Sequence, residues 1–238
     1  MKTHLIAIIM FITVGGLVSC EEKDDPAPQM SLEFDFEEGK EGWVADFADY
    51  HPNNGTDYQL SSDISGHPAP LDTTQAAFRI SGMNRSDDLF MFLKRKIDGL
   101  QPNTTYELTF DLSIVSSYPE NSVGIGGSPG ASVYLKAGAS PIEPKPVWDT
   151  DYTDFLVMNI DKGAQSNPGP DMQVLGTIGI EKEEFEPTLI SRSNEDTPFE
   201  ITSDENGSMW VIVGTDSGYE GLTNIYYHEI KLNLTAID

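Results

Sequence analysis

Residues 106–114 read Tyr-Glu-Leu-Thr-Phe-Asp-Leu-Ser-Ile, an unbroken alternation of large apolar and polar residues. Successive side chains of a β-strand point to opposite faces, so this period of two predicts a strand with one buried and one solvated face. Residues 32–37, Leu-Glu-Phe-Asp-Phe-Glu, repeat the pattern close to the beginning of the chain. The two segments together indicate an antiparallel sheet.

Further segments have strand character, and no stretch after residue 25 shows a sustained helical period with caps. The strand candidates are residues 77–81, 89–94, 132–136, 155–160, 174–180, 209–214 and 225–234. A length of 238 residues, including an N-terminal leader, suits a single β-sandwich. We therefore predict an all-β fold, an antiparallel β-sandwich spanning residues 30–238. Its predicted core contains Leu32, Phe34, Tyr106, Leu108, Phe110, Leu112, Ile114, Val211 and Leu232.

The N-terminus has the three parts of an export signal. Lys2 and His4 give a short basic start, and residues 5–18 form an apolar run too short to span a bilayer. Residues 17–20, Leu-Val-Ser-Cys, resemble the bacterial lipobox, in which Cys20 becomes the lipidated first residue of the mature chain. We predict a signal peptide over residues 1–19, an acidic lipidated tether over residues 20–29, and location at the outer membrane or cell surface.

The composition narrows the possible partners. The chain has 39 Asp and Glu against 14 Lys and Arg, a formal net charge of −25, which argues against nucleic acid and anionic lipid as partners. Neutral sugars, cationic ligands and Ca²⁺ are compatible with such a surface. Cys20 is the only cysteine, so no internal disulfide is expected. The sequence does not determine the oligomeric state.

Three segments resemble the jelly-roll carbohydrate-binding modules of the galactose-binding-like group. Residues 34–43 resemble their opening strand and turn, residues 99–110 their central Gly-Leu, Pro, Thr-Tyr segment, and residues 225–232 their closing strand. Such modules place the first and last strands side by side. The resemblance implies sugar binding without catalysis, and residues 83–93 and 124–138 match no characterised module.

Many modules of this group hold a structural Ca²⁺ between the opening and closing strands. The resemblance therefore implies Asp35, Glu37 and Glu229 as calcium ligands. His228 stands where the group has an aspartate, and histidine is a poor ligand for calcium. Strand alternation would also place His228 on the same face as Ile230, which favours a histidine at the edge of the core.

Two loops contain candidate ligand-binding residues, because aromatic rings stack on sugars and carboxylates accept hydrogen bonds from their hydroxyls. The candidates are Trp148, Asp149, Asp151 and Tyr152 in the first loop, and Asp216 and Tyr219 in the glycine-rich second loop. Two alternatives stay open for the first loop. Asp149, Asp151 and Asp154 suit calcium, and Trp148 and Phe155 suit core anchors. In residues 84–88, Arg85 lies among acids and suits a buried ion pair or a ligand clamp.

The sequence gives less support to an enzymatic function. Glu33, Asp35 and Glu37 resemble the Glu-x-Asp-x-Glu signature of laminarinase-like glycoside hydrolases, but that family places the motif on a mid-chain strand. Neither a nucleophile-elbow pattern nor close histidine spacing is present. The leading hypothesis is thus a non-catalytic, lipid-anchored glycan-binding module. The alternatives are a structural or adhesive protein with a protein partner, and a glycan-degrading enzyme.

Overall fold

A computed structural model describes residues 28–53, 57–152 and 154–237. This part of the chain contains fourteen β-strands and no helix, and therefore no helix that could span a membrane. The strands are β1 (Gln29–Phe34), β2 (Val44–Ala48), β3 (Ser61–Gly66), β4 (Ala76–Met83), β5 (Phe90–Ile97), β6 (Thr105–Ser116), β7 (Val133–Ser140), β8 (Pro146–Trp148), β9 (Leu156–Met158), β10 (Met172–Thr177), β11 (Thr188–Ser193), β12 (Phe199–Thr202), β13 (Met209–Ser217) and β14 (Leu222–Ile237).

Two antiparallel sheets form a sandwich. The seven-stranded sheet has the order β11-β6-β14-β4-β3, with β12 also beside β6 and β1 beside β14. The five-stranded sheet has the order β10-β7-β13-β5-β2, and β8 and β9 form a separate two-stranded ribbon. The first and last strands pair directly, with Leu32 opposite Leu232. The predicted all-β antiparallel sandwich is confirmed.

The core lies between the two sheets and follows the period-two pattern. The five apolar residues of the alternation at residues 106–114 in β6 are buried. The four polar residues between them, at positions 107, 109, 111 and 113, are exposed or half-buried. The predicted core residues all lie in this cluster or against it, and Leu32 alone among them is only half-buried. Leu32 is less covered because β1 is an edge strand that pairs with β14 only.

A β-bulge in β14 overturns the alternation expected around His228. Tyr227 pairs with Ile114 and Glu229 with Ser113, so His228 is the extra residue of the bulge. Tyr227 and Ile230 are therefore both buried, although an uninterrupted alternation would place them on opposite faces. The His228 ring instead contacts the ring of His67, with centroids 4.8 Å apart.

The outer face of the five-stranded sheet is covered by residues 146–171, which include the β8–β9 ribbon and which we call the covering segment. Apolar side chains on this face form a second buried cluster with residues of the covering segment: Ala48, Phe90, Phe92, Ile160, Met172 and Ile212. The β8–β9 ribbon is held to the sheet by backbone hydrogen bonds from Asp49 N (2.7 Å) and Tyr50 N (3.3 Å) to the Leu156 carbonyl. Burial on both faces explains the continuous apolar run at residues 89–93, which is typical of a strand covered on both sides.

Candidate functional site

The ribbon presents two aromatic rings to solvent. Trp148 ends β8 and is 52% exposed, and Tyr152 lies in the turn before β9 and is 68% exposed. Among the described residues only one other aromatic side chain is comparably exposed, Phe185 at 62%. Because large exposed rings are uncommon on a folded domain, two of them four positions apart on one turn mark a candidate binding surface.

Asp149 organises this turn. Its Oδ1 atom accepts hydrogen bonds from the backbone N–H groups of Asp151 and Tyr152, both at 2.7 Å. Its own N–H donates to the carbonyl of Phe155 at 2.9 Å. These contacts define an Asx-type turn. Asp149 therefore positions Tyr152, whereas the carboxylate of Asp151 is exposed beside the rings.

The far side of the turn is fixed to the chain that follows β2. The rings of His51 and Phe155 pack at a centroid distance of 4.6 Å, and His51 Nδ1 lies 3.3 Å from the carbonyl oxygen and 3.6 Å from Oδ2 of Asp154. Phe155 is half-buried by this contact. The turn is thus anchored through His51 and Phe155, while the rings of Trp148 and Tyr152 are exposed and free to stack against a flat apolar ligand surface.

A second cluster, which we call the charged cluster, lies buried beneath the covering segment. It consists of Asp49, Asp88, Lys136, Lys162 and Asp216. Asp216 Oδ2 accepts hydrogen bonds from Lys136 Nζ at 2.8 Å, from Lys162 Nζ at 2.9 Å and from the backbone N–H of Gln165 at 2.9 Å. Lys162 Nζ also lies 3.0 Å from Asp49 Oδ2. Buried charges require such pairing, because an isolated ion loses its hydration.

The members of the charged cluster differ in their tendency to ionise. Burial, together with the neighbouring carboxylates of Asp216 and Asp49, raises the pKa of Asp88 to about 7 despite the opposing effect of Lys162. Burial also lowers the pKa of Lys136. The pKa of Lys162 is raised, because the carboxylates around it outweigh its burial. Asp88 is thus the carboxyl that accepts a proton most readily near neutral pH.

Three buried oxygens of the charged cluster lack a hydrogen-bond donor within the described part of the chain: Oδ1 of Asp216, Oδ1 of Asp88, and Oδ2 of Asp49, which has only its ion-pair contact with Lys162. A shallow polar pocket of about 190 Å³, open to solvent, is lined by Asp49, Asp88, Lys162 and neighbouring residues of the covering segment. Buried acceptors without donors are rare in folded proteins, and the neighbouring ones of Asp88 and Asp216 define a place for a proton or a polar group.

The structure places the predicted ligand-binding residues in two separate locations. Trp148, Asp149, Asp151 and Tyr152 share the ribbon turn, whereas Asp216 lies fully buried in β13. The predicted glycine-rich loop begins later than expected, because residues 215–217 still pair with β7. Tyr219 follows β13, is half-buried against the core, and accepts a hydrogen bond from Asn84 Nδ2 at its carbonyl.

Sequence reasoning missed Asp49, Lys136 and Lys162, which come from distant parts of the chain. The available signal was Lys136 itself, a lysine within the strand Val-Tyr-Leu-Lys-Ala-Gly-Ala, where small and apolar residues indicate burial. The arginine of the 84–88 segment is exposed, and the acid that turns inward there is Asp88.

The proposed calcium ligands all have protein contacts. Asp35 Oδ1 accepts a hydrogen bond from the backbone of Glu37, Glu37 Oε1 accepts one from the backbone of Ala76, and Glu229 pairs with Lys231 at 2.7 Å. Within residues 28–53, 57–152 and 154–237, no group of three or more His, Cys, Asp or Glu side chains is arranged to hold a metal ion. Calcium binding stays a prediction, and melting with calcium and after chelation checks it.

A groove of about 500 Å³ runs along edge strand β11, between Ile190 and the segment near Gly179. Its most prominent cation, Arg192, donates hydrogen bonds to the carbonyls of Thr177, Ser191 and Gly179. This guanidinium is therefore committed to the fold, and the ribbon turn has the better-defined binding features.

No protein-family model matches the sequence, and a comparison with curated proteins also finds no match. Solved structures with a similar arrangement of strands include carbohydrate-binding modules with a β-sandwich fold. One is a module described for specific mannan recognition (12% identity, TM-score 0.41, covering 87% of this chain and 98% of that chain). Another is described for promiscuous specificity in the β-sandwich superfamily (13% identity, TM-score 0.39, covering 86% and 61%).

The enzymatically active domain of tailspike protein 4 from bacteriophage CBA120 is also similar (10% identity, TM-score 0.39, covering 84% of this chain). The chain spans only 20% of that tailspike chain and 61% of the promiscuous module. At these identities the similarity concerns the fold. The class defined so far is an all-β sandwich with an exposed aromatic turn.

Proposed function

We propose that this protein is a non-catalytic glycan-binding module that uses the ribbon turn as its binding surface. The observation that carries the proposal is the simultaneous exposure of Trp148 and Tyr152 on an anchored turn. Both rings offer apolar faces for stacking on pyranose rings, and the carboxylate of Asp151 accepts hydrogen bonds from sugar hydroxyls. The net charge of −25 favours a neutral glycan over an anionic one.

Retention on immobilised neutral polysaccharides tests this proposal. We expect Trp148→Ala to abolish retention while the melting temperature changes little, because an exposed side chain contributes little to stability. Phe185→Ala is the matched control, since it removes a ring of similar exposure outside the ribbon. We expect the control to bind as the parent protein does.

Three outcomes contradict the proposal. If the parent protein binds none of a panel of neutral β- and α-linked polysaccharides, a neutral glycan is not its ligand. Equal losses in Trp148→Ala and Phe185→Ala point to a diffuse surface effect. A large drop in melting temperature for Trp148→Ala assigns the ring to the fold.

We further propose that the module is held at the outer membrane or cell surface by a lipid on Cys20, which lies outside the described residues. The lipobox-like segment and the short apolar run before it support this proposal. A single acyl chain gives only marginal membrane binding, so stable anchoring needs more than one. Cys20→Ala should abolish acyl labelling, and labelling that persists in this variant contradicts the anchor.

A further inference from the structure

Lys136 and Asp216 form an ion pair that is completely withdrawn from water. Both side chains are 0% exposed, and Lys136 Nζ lies 2.8 Å from Asp216 Oδ2. Their strands β7 and β13 are neighbours in the sheet, and Lys136 pairs with Gly214, two positions before Asp216. The two side chains are therefore diagonal neighbours on the same sheet face, and the pairing of β7 with β13 fixes their separation.

The surroundings of Lys136 are set up for the amine to lose a proton. Its Nζ donates to three acceptors: Asp216 Oδ2, the Lys162 carbonyl at 2.9 Å and the Asn167 carbonyl at 3.1 Å. If the proton shared with Asp216 moves to the carboxylate, the other two N–H groups keep their carbonyl partners. The freed lone pair then points toward the carboxyl group of Asp216. Burial lowers the pKa of Lys136 and assists this transfer, whereas the two lysines beside Asp216 outweigh its burial, lower its pKa and oppose the transfer.

A third group beside the pair supplies an acid. Asp88 lies close enough to Asp216 for a side-chain hydrogen bond. Neither Asp216 Oδ1 nor Asp88 Oδ1 has a donor within the described residues. A proton on Asp88 lets this carboxyl donate a hydrogen bond to Asp216, whose Oδ1 is the oxygen without a donor. The same hydrogen bond withdraws electrons from the Asp216 carboxyl carbon and makes it a better electrophile.

We propose that Lys136 and Asp216 condense to an intramolecular isopeptide bond between Nζ and Cγ, with Asp88 as the catalytic acid. Lys136 Nζ, once neutral, attacks Cγ of Asp216, and Asp88 lends its proton to Oδ1 as the tetrahedral intermediate forms. The intermediate expels Oδ2 as water, and Asp88 recovers its proton. The C–O bond breaks, the C–N bond forms, and the water takes its oxygen from Asp216 and both hydrogens from Nζ. No oxidant or cofactor is needed.

Lys162 is a positioning residue in this scheme. Its ammonium contacts the same Oδ2 atom and is held by Asp49, so it stabilises the oxygen that leaves. The Nζ atom of Lys162 also lies over the ring of Phe90, 5.1 Å from its centroid, so an apolar side chain borders the charged cluster there. The carboxylates around Lys162 keep this amine protonated, so Lys136 is the nucleophile. The reaction replaces two buried charges by a neutral amide, which removes the desolvation cost of the pair.

Lys94 provides a matched control. It is also buried and also pairs with a carboxylate at 2.8 Å, but its partner Glu143 is half-exposed. Its other hydrogen bond goes to the Pro144 carbonyl. An ion pair open to water lacks the desolvation that deprotonates an amine, so this second pair should stay ionic.

Peptide mapping of the full chain by mass spectrometry tests the proposal. In the parent protein we expect one cross-linked peptide joining β7 to β13, lighter by one water molecule than its two components combined, with fragment ions that place the link at Lys136 and Asp216. Lys136→Met should abolish this peptide, and Lys94→Met should leave it unchanged. Asp88→Asn, which is nearly the same size, should abolish it or slow its formation at least tenfold while the β-sheet circular dichroism spectrum is retained.

Each departure from this pattern overturns a defined part of the scheme. A folded parent protein that yields only the two separate peptides contradicts the bond itself, and that result does not depend on whether any variant folds. A link from Lys162 contradicts the choice of nucleophile. A cross-link formed at the parental rate in Asp88→Asn contradicts the role of Asp88.

Discussion

The two faces of the five-stranded sheet are both buried, yet their chemistry differs. The inner face contributes Leu93, Leu135, Val211 and Val213 to the main apolar core. The outer face places Phe90, Phe92 and Ile212 beside the fully buried Lys136 and Asp216. The inner face is covered by the other sheet, which contains the two longest strands of the fold, β6 and β14, and the outer face is covered by a short ribbon and irregular chain.

This difference shows that burial alone does not determine composition. The interior needs only apolar surfaces of matching shape, because two regular sheets satisfy their own backbone hydrogen bonds. The irregular covering segment leaves backbone groups without strand partners, and Lys136 satisfies two of them, the carbonyls of Lys162 and Asn167. The buried lysine is therefore a partner for irregular backbone as well as for Asp216.

The inner face should give the largest effect on stability. We expect Phe110→Ala to lower the free energy of unfolding by about 3–5 kcal/mol, because it removes a fully buried ring and leaves a cavity between the sheets. Chemical denaturation of parent and variant measures this difference. A loss below about 1 kcal/mol would mean that the interior is loosely packed, contrary to the comparison.

The charged face should respond almost as strongly, through electrostatics. We expect Asp216→Ala to cost about 3 kcal/mol, the lower end of the range for leaving a buried charge without its partner, because Lys136 loses its carboxylate whether the two groups are paired as ions or joined as an amide. Denaturation at neutral pH tests this value. Unchanged stability would indicate that both lysines find other partners and that the cluster does not stabilise the covering segment.

The smallest effect is expected on the outer face of the seven-stranded sheet, at the His67–His228 contact. Burial, followed by the neighbouring His228, lowers the pKa of His67, and the acids Asp72 and Glu37 nearby oppose this only in part. The folded state then binds fewer protons than the unfolded state below pH 6.5, so stability should be lost as pH falls through that value. His67→Gln should reduce this loss in thermal melts between pH 7.5 and pH 5.5. Identical pH profiles of stability for the parent protein and His67→Gln would contradict the assignment of this loss to His67.

Much of the sandwich could be predicted from sequence, because β1, β6 and β14 have one buried and one solvent-facing side along most of their length, and their apolar and polar residues alternate accordingly. The strands β2, β3, β8, β11 and β12 were not predicted. Residues 188–193, Thr-Leu-Ile-Ser-Arg-Ser, form an edge strand but do not alternate apolar and polar residues in sequence. The strand β12 has only four residues. The bulge at His228 was also missed, since an extra residue reverses the alternation without changing the composition.

The candidate site was predictable only where it is local. Trp148, Asp149 and Tyr152 are close in sequence, so their shared turn follows from neighbouring residues. The charged cluster brings together five residues from different strands and loops, and sequence spacing contains no signal for that meeting. Asp216 was therefore assigned to a ligand-binding loop although it lies inside the protein.

Tryptophan fluorescence during titration with a neutral polysaccharide tests the central claim, that the ribbon turn binds glycan, most directly. Trp43 is buried and Trp210 half-buried, so Trp148 is the most exposed reporter among the described tryptophans. We predict a blue shift of the emission on binding, as the Trp148 ring leaves water, and loss of that shift in Trp148→Phe. A shift of equal size in Trp148→Phe, or saturable binding without any change in emission, would contradict the account.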